Sequence, residues 1–213
     1  MKTAWSIVIV LLLCAMVALG HQQTSSAQPL LPAAAKQNAG SNAGSSHRLA
    51  ASLQVKLDRI RQNAEQAHPD QQPTVMSEEE INDYFASGRV KLPQGVKKVV
   101  LQGHSGIVDA MLHVDFDEIR GGQGSYNPLL SLFSGTHDVA LEADAAGSGG
   151  QGRVHVRTVT IDGIEVPHMA LEYFVEKYIK PKYPNVGIDS QFQMHDRIDV
   201  ATVGYHKLTV TQK

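Results

Sequence analysis

Histidine is the residue type in this chain with the broadest capacity for chemistry. Ten histidines occur among 213 residues, and seven of them lie between His104 and His206. Two metal ligands on one strand or helix need His-x-His or His-x-x-x-His spacing, and no histidine pair has it. His113 and His155 fall on polar strand faces and meet only if their strands are neighbours. The spacing therefore predicts neither a metal site nor a cofactor.

Acidic residues close to His113 suggest a second chemistry, general acid–base hydrolysis. Asp115 and Asp117 alternate after His113, so carboxylates and an imidazole for water activation are present in one segment. The commoner explanation for this spacing is a set of acidic residues at alternate positions on the solvent-exposed face of a strand. His137 and Asp138 lack the Gly-x-Ser-x-Gly turn that holds a serine nucleophile. We expect a non-catalytic protein, with a hydrolase built on His113, Asp115 or Asp117 as an open alternative.

Composition disfavours nucleic-acid and nucleotide partners. Nineteen Lys and Arg against 21 Asp and Glu give a net charge of −2, whereas phosphate binding needs clustered basic residues. The glycines of segment 121–124 lack the dinucleotide fingerprint and the Lys-Ser/Thr of a P-loop. A single cysteine excludes a disulfide framework and a cysteine-ligated zinc site.

The first twenty residues have the layout of a secretory signal peptide. Lys2 supplies a positive start, residues 4–18 are almost wholly apolar, and Ala18-Leu19-Gly20 offers small residues before a cut at His21. This pattern predicts an exported protein in the periplasm or outside the cell. An uncleaved segment would instead tether the chain to the membrane.

Two further segments precede the main domain. Residues 21–47 are rich in Gln, Ala, Ser, Asn and Gly, which predicts a disordered linker. Segment 48–73 contains a predicted amphipathic helix from Leu49 to Gln66, followed by a proline-containing linker. We expect its apolar stripe to pack on the same domain, and a membrane surface or a partner stays an open alternative. The stripe consists of Leu49, Leu53, Leu57, Ile60 and Ala64.

Residues 74–213 read as an α+β domain. Ser77-Glu78-Glu79-Glu80 is a capping box that starts a helix. Strict alternation over Val108–Phe116 predicts a half-buried strand in a hairpin, and apolar spacing after Pro167 predicts another helix. Hairpins dominate and no βαβ rhythm occurs. We predict a mostly antiparallel curved sheet of about seven strands packed on two or three helices.

One segment carries a family resemblance. Ser77–Phe85, with the sequence SEEEINDYF, resembles the helix opening of small bacterial TULIP-like envelope proteins, which bind lipid. The order that follows is also similar: hairpin, short apolar helix, hairpin, then Gly163–Pro167 into a helix and a final strand meander. The resemblance covers Thr74 to Gln212. It implies a lipid-binding fold without catalysis and assigns no individual binding residue.

An apolar ligand site follows from the strand alternation. The apolar face of the Val108–Phe116 strand is expected to oppose apolar side chains of the helices, leaving a groove for a lipid or another apolar ligand. A structural or adaptor role without ligand is the open alternative, and the sequence identifies no protein partner. The predicted groove residues are Leu112, Val114, Phe116, Leu129, Leu132, Phe133, Phe174 and Tyr178.

Overall fold

The computed structural model describes residues 40–120 and 133–213, with side chains from Arg48 onward. The predicted signal peptide and residues 21–39 of the predicted linker lie outside these ranges, as does segment 121–132. The helices are α1 (Gly40–Ala64), α2 (Glu78–Ala86), α3 (Phe116–Arg120) and α4 (His168–Phe174), which continues as a π-helix over Val175–Ile179. The strands are β1 (Thr74–Ser77), β2 (Val96–Gly103), β3 (Ile107–Asp115), β4 (Thr136–Ser148), β5 (Gln151–Ile161), β6 (Ile164–Glu165), β7 (Asp189–Gln193), β8 (Ile198–Gly204) and β9 (Lys207–Gln212).

The nine described strands form one sheet in which every pair is antiparallel. The main order is β1-β9-β8-β4-β3-β2. Strand β4 organises the sheet, because residues 136–144 pair with β3 and residues 146–147 with β8, while its opposite edge pairs with β5. Strand β5 carries β6 and β7 on its other edge. The predicted α+β class with a mostly antiparallel sheet is confirmed.

The sheet has two strands more than the predicted seven. Strand β1 has four residues and pairs with β9, and β6 has two residues that pair with the end of β5. Runs this short carry too little alternation to be recognised in a sequence. Their pairing partners lie at the end of the chain for β1 and across a tight turn for β6.

The strand predicted over Val108–Phe116 ends at Asp115 in the structure, one residue earlier than predicted. Phe116 begins α3 instead, and the Asp115 carboxylate accepts a hydrogen bond from the Glu118 amide at 3.0 Å. An aspartate before the first turn offers an acceptor to free amides at a helix start. This local bond replaces the continuation of the strand, so the alternating acids after His113 belong to two different elements.

Helix α1 is part of the domain. It begins at Gly40, earlier than the predicted Leu49, and ends at Ala64. Leu53, Leu57 and Ile60 are at most 1% exposed, whereas Val55 on the opposite side is 67% exposed. The prediction that the apolar stripe packs on its own domain is confirmed.

The capping box of α2 also joins α1 to the sheet. Glu80 donates its amide to the Ser77 hydroxyl at 3.2 Å, and the Ser77 amide donates to the Glu80 carboxylate at 2.9 Å. The same buried carboxylate accepts from Ser52 and from Lys56 of α1, both at 2.6 Å. These donors hold the pKa of Glu80 below its usual value despite its burial, which by itself raises that pKa.

The two faces of the sheet differ in burial. Valines and alanines at alternate positions of β3, β4 and β5 point to the core that the sheet shares with the helices; we call this the inner face. The intervening side chains lie on the outer face, exposed or half-buried. The core includes the aromatic residues Phe116, Phe133, Phe174 and Tyr178.

Candidate functional site

The predicted groove residues on the inner face form a packed aromatic cluster. The rings of Phe133 and Phe174 stack with centroids 4.2 Å apart, and Phe116 meets each of them edge-on at 5.4 and 5.6 Å. The Tyr178 ring lies 5.3 Å from that of Phe174. All four residues are buried, as is Val114. Rings in mutual contact fill this part of the interior with protein atoms.

The other predicted groove residues have different positions. Leu112 is half-buried on β3 and packs against the core. Leu129 and Leu132 lie outside the described residues. Five of the eight side chains therefore meet in the described core, and their contacts are with one another and with neighbouring core residues.

The three residues of the hydrolase alternative do not converge. His113 lies on the outer face of β3, Asp115 accepts from the start of α3, and Asp117 forms an ion pair with Arg120. The Arg120 guanidinium holds the pKa of Asp117 below its usual value. A general acid at neutral pH needs a raised carboxyl pKa, so this environment opposes that role. Among the described residues, no group of three or more His, Cys, Asp or Glu side chains is arranged to hold a metal.

Histidines and carboxylates instead meet in pairs across strands. His113 of β3 lies opposite Asp138 of β4, with Nδ1 2.8 Å from the carboxylate, and His155 of β5 pairs likewise with Asp189 of β7 at 2.5 Å. His113 and His155 do not meet, because β4 separates their strands. Both pairs are exposed to solvent on the outer face of the sheet. The water exclusion that strengthens electrostatic catalysis is missing there.

His137 has both ring nitrogens occupied. Its Nδ1 lies 2.5 Å from the Asp162 carboxylate and its Nε2 lies 2.6 Å from the Ser134 carbonyl. Both neighbours accept hydrogen bonds, so they favour the doubly protonated ring and raise the pKa of His137 above its usual value. A ring held in this way has no free nitrogen to act as a general base. The sequence pairing of His137 with Asp138 is therefore not a catalytic dyad.

A stability prediction follows from this pair. The raised pKa of His137 means that its protonated form stabilises the fold fully below the unfolded-state value of 6.5 and that this contribution is lost as pH rises through the folded-state pKa. Asp162→Asn removes the carboxylate, and asparagine tolerates the local φ of 50°. We expect the variant to lose more stability at about pH 5.5 than at about pH 8.5.

Urea unfolding at the two pH values measures this difference. In a His137→Gln background, the same Asp162→Asn change should lose its pH dependence, because the titrating partner is gone. Equal losses at both pH values in the wild-type background would show that His137 is not the stabilised group.

An apolar opening lies on the outer face, across β2, β3, β4 and β5. It is a groove of about 700 Å³. Its floor contains Val100, Met111 and Ala140, which are directly opposite one another on β2, β3 and β4, and Thr160 of β5 continues the row. Met111 is 64% exposed. Three strand spacings make the row about 14 Å long. We call these four residues the outer row.

A polar row borders the outer row on one side. Lys98, His113 and Asp138 are opposite one another on β2, β3 and β4, and Asp162 directly follows β5. His113 pairs with Asp138, and His137 pairs with Asp162. Lys98 forms no ion pair within the described ranges, 40–120 and 133–213. The groove thus combines an apolar floor with one unpaired cation at its rim.

The outer row was not among the predicted site residues. The sequence places Met111 between Asp109 and His113, on the face assigned to water. A methionine in a polar alternation is the one signal that marks this face, and Val100 and Ala140 become its neighbours only through strand pairing. Leu112 is the sole predicted site residue that also borders this groove.

Comparison with protein-family models, with curated proteins and with solved structures finds no significant match. None of the described helices is both long and apolar enough to cross a membrane. Function is therefore inferred from the geometry of the groove.

Proposed function

We propose that this chain is a non-catalytic protein of the cell envelope that binds a lipid or another elongated apolar ligand in the outer-face groove. Export follows from the predicted signal peptide. The observation that carries the proposal is the row of Val100, Met111 and Ala140, exposed in one register across three strands. Single exposed apolar residues are ordinary on protein surfaces, but a contiguous row at the floor of a groove is typical of a binding surface.

The dimensions suit a small ligand. A volume of about 700 Å³ lies within the range of small-molecule sites. Burial of each methylene contributes about 0.8 kcal/mol. A chain of several methylenes, partly covered along the outer row, is consistent with micromolar affinity, which corresponds to about −8 kcal/mol.

The charge at the rim favours an anionic head group. Lys98 lies two residues before Val100 on the same strand face, and it lacks an ion-pair partner among the described residues. A carboxylate or phosphate at one end of an acyl chain would meet this ammonium while the chain follows the outer row. Ligands with a cationic head should bind more weakly for the same reason.

The finer fold assignment, a TULIP-like lipid-binding fold, is also part of this proposal. An antiparallel sheet packed on helices supports it. The position of the ligand differs from our expectation, because the aromatic cluster occupies the inner face and the open apolar surface is on the outer face. An adaptor role remains the second candidate, since a partner's side chains would also cover the outer row.

Met111→Asp tests the groove. A carboxylate in the middle of the outer row repels both an acyl chain and an anionic head, so binding of a fluorescent fatty acid should fall at least tenfold. Met169→Asp on α4 is the matched control, because Met169 is exposed to a similar degree, 71% against 64% for Met111. Native mass spectrometry of the protein purified from its host shows in parallel whether a lipid is carried.

Three outcomes are informative. Loss of fatty-acid binding in Met111→Asp alone supports the groove. Binding that survives Met111→Asp and is lost in Val114→Asp, with the circular dichroism spectrum unchanged, would favour a ligand on the inner face, because Val114 is buried there and does not border the outer-face groove. Wild-type protein that binds no fatty acid and carries no lipid favours the adaptor role.

A further inference from the structure

Strand β7 lies at an edge of the sheet in the described part of the chain. Strand β7 pairs with β5 alone among the described strands. Hydrogen bonds from Val156 to the Ile188 carbonyl and from Met194 to the Gly150 carbonyl, 2.9 and 2.8 Å long, fix which residues face β5. By alternation, Ser190 and Phe192 bond to β5, and the backbone groups of Asp189, Gln191 and Gln193 point away from the sheet.

The two ends of the main strand order, β2 and β1, are bonded by side chains of this chain. On β2, the Asn82 side-chain amide bonds both the N–H and the carbonyl of Leu101 at 2.8 Å, and Glu78 accepts from the Gly103 amide at 2.9 Å. On β1, Lys56 donates to the Val75 carbonyl at 2.8 Å. Native proteins commonly block sheet edges in such ways to prevent pairing with another chain.

Strand β7 has none of these protections within the described residues. Its sequence DSQFQ contains no lysine, no proline and no bulge. The strand is also held in a single register, because the Phe192 ring covers Gly152 on β5, where an added Cβ would lie 2.3 Å from the ring. A fixed strand with free outward groups is a template for one more strand.

A groove runs beside this edge. It has a volume of about 460 Å³ and lies between the helix formed by α4 and its π-helical extension, which contributes Glu172, Glu176 and Lys180, and the start of β7 with Asp189 and Gln191. Three carboxylates and one ammonium leave an excess of two negative charges. Lys180 pairs with Glu176, so the excess negative charge lies on Glu172, whose carboxylate is 3.7 Å from His168, and on Asp189, which pairs with His155.

We propose that an extended, basic segment of a partner protein adds to the sheet along β7. Its main chain would bond the outward groups of Asp189, Gln191 and Gln193, and its Lys or Arg side chains would face the carboxylates of the groove. This surface is separate from the outer-face groove and does not depend on the ligand proposed there.

Two other occupants fit the surface less well. A second copy pairing through β7 would bring two acidic grooves together, and like charges oppose that contact. The chain's own residues 21–39 contain Lys36 as their single charge and two prolines, which cannot donate to a ladder. The tests below separate both from a basic partner.

The probe is a capped peptide of alternating lysine and valine, with an alternating glutamate and valine peptide as control. Binding of the lysine peptide should protect the amides of Gln191 and Gln193 from hydrogen exchange, whereas Ser190 and Phe192, already bonded to β5, should change little. The glutamate peptide should leave all four amides unchanged. Equal protection by both peptides, or none by either, would overturn the proposal.

Gln191→Pro removes one outward donor. The change leaves the β5 pairing intact because that N–H faces away, and proline is tolerated on edge strands. We expect about a tenfold or greater loss of lysine-peptide affinity in isothermal titration, since a hydrogen bond is lost and the added strand meets the ring. Gln191→Ala keeps the N–H and should bind as the wild type does, and Glu172→Gln should weaken binding and its salt dependence.

Two controls address the competing occupants. Light scattering that shows a dimer, converted to monomer by Gln191→Pro, would replace the partner segment with a second copy. Protection of Gln191 and Gln193 without peptide, lost when residues 21–39 are deleted, would assign the edge to the chain's own linker. Either result overturns the basic partner.

Discussion

Phe174→Ala is expected to destabilise the fold by about 3–5 kcal/mol. The Phe174 ring stacks on Phe133, meets Phe116 edge-on and lies against Tyr178. Its removal leaves a cavity among rings that cannot all move inward, so lost transfer free energy and the cavity both contribute. Urea or thermal unfolding followed by circular dichroism measures the change.

Tyr173→Ala provides the matched control. Tyr173 precedes Phe174 on the same helix but is 39% exposed, with the Lys177 ammonium 5.5 Å from its ring centroid. We expect a loss within about 1 kcal/mol for this surface position. A similarly small loss for Phe174→Ala would mean that the aromatic cluster is loosely packed. The inner face would then again be the better candidate for the ligand site.

Leu57→Ala is expected to cost about 2–5 kcal/mol and to lower the stability of the whole domain. Leu57 is fully buried on α1. It directly follows Lys56, which forms an ion pair with Glu80. A single cooperative transition, shifted to lower urea, should appear because α1 shares its core with α2 and the sheet. Val55→Ala, on the exposed side of the same turn, should change stability by less than about 0.5 kcal/mol.

The pattern of unfolding decides whether α1 belongs to the cooperative unit. Limited proteolysis of the Leu57→Ala variant should attack α1 and the sheet at similar rates. Early cleavage within α1 that leaves residues 74–213 resistant would show that the helix is an accessory element. The predicted domain boundary at Thr74 would then also be the boundary of the cooperative folding unit.

Local signals were sufficient for most of the elements. The spacing of Leu53, Leu57 and Ile60 specified one buried helix face, and Ser77 with Glu80 specified the start of α2, because both patterns act within a few residues. Alternation along β3 gave the inner and outer faces correctly up to Asp115. The error at Phe116 also has a local cause, since an aspartate that accepts from a helix amide competes with continued strand pairing.

Positions set by distant partners could not be predicted in this way. Glu78 meets His206 across 128 residues, and Asn63 meets Gln212 across 149, so no window of sequence contains both partners. The aromatic residues proposed for a ligand were correctly taken as inward-facing, but only the tertiary packing decided that they fill their space with one another.

The sequence by itself determined the α+β class, the buried stripe of α1 and the alternation of β3. The tertiary structure alone aligned Val100, Met111 and Ala140 into one row, and among the described strands it paired β7 with β5 only, while Asn82 bonded the edge of β2. Strand order and register decide these features, because each strand's outer face is specified by its own alternation, whereas its neighbours are chosen by pairing over the whole chain.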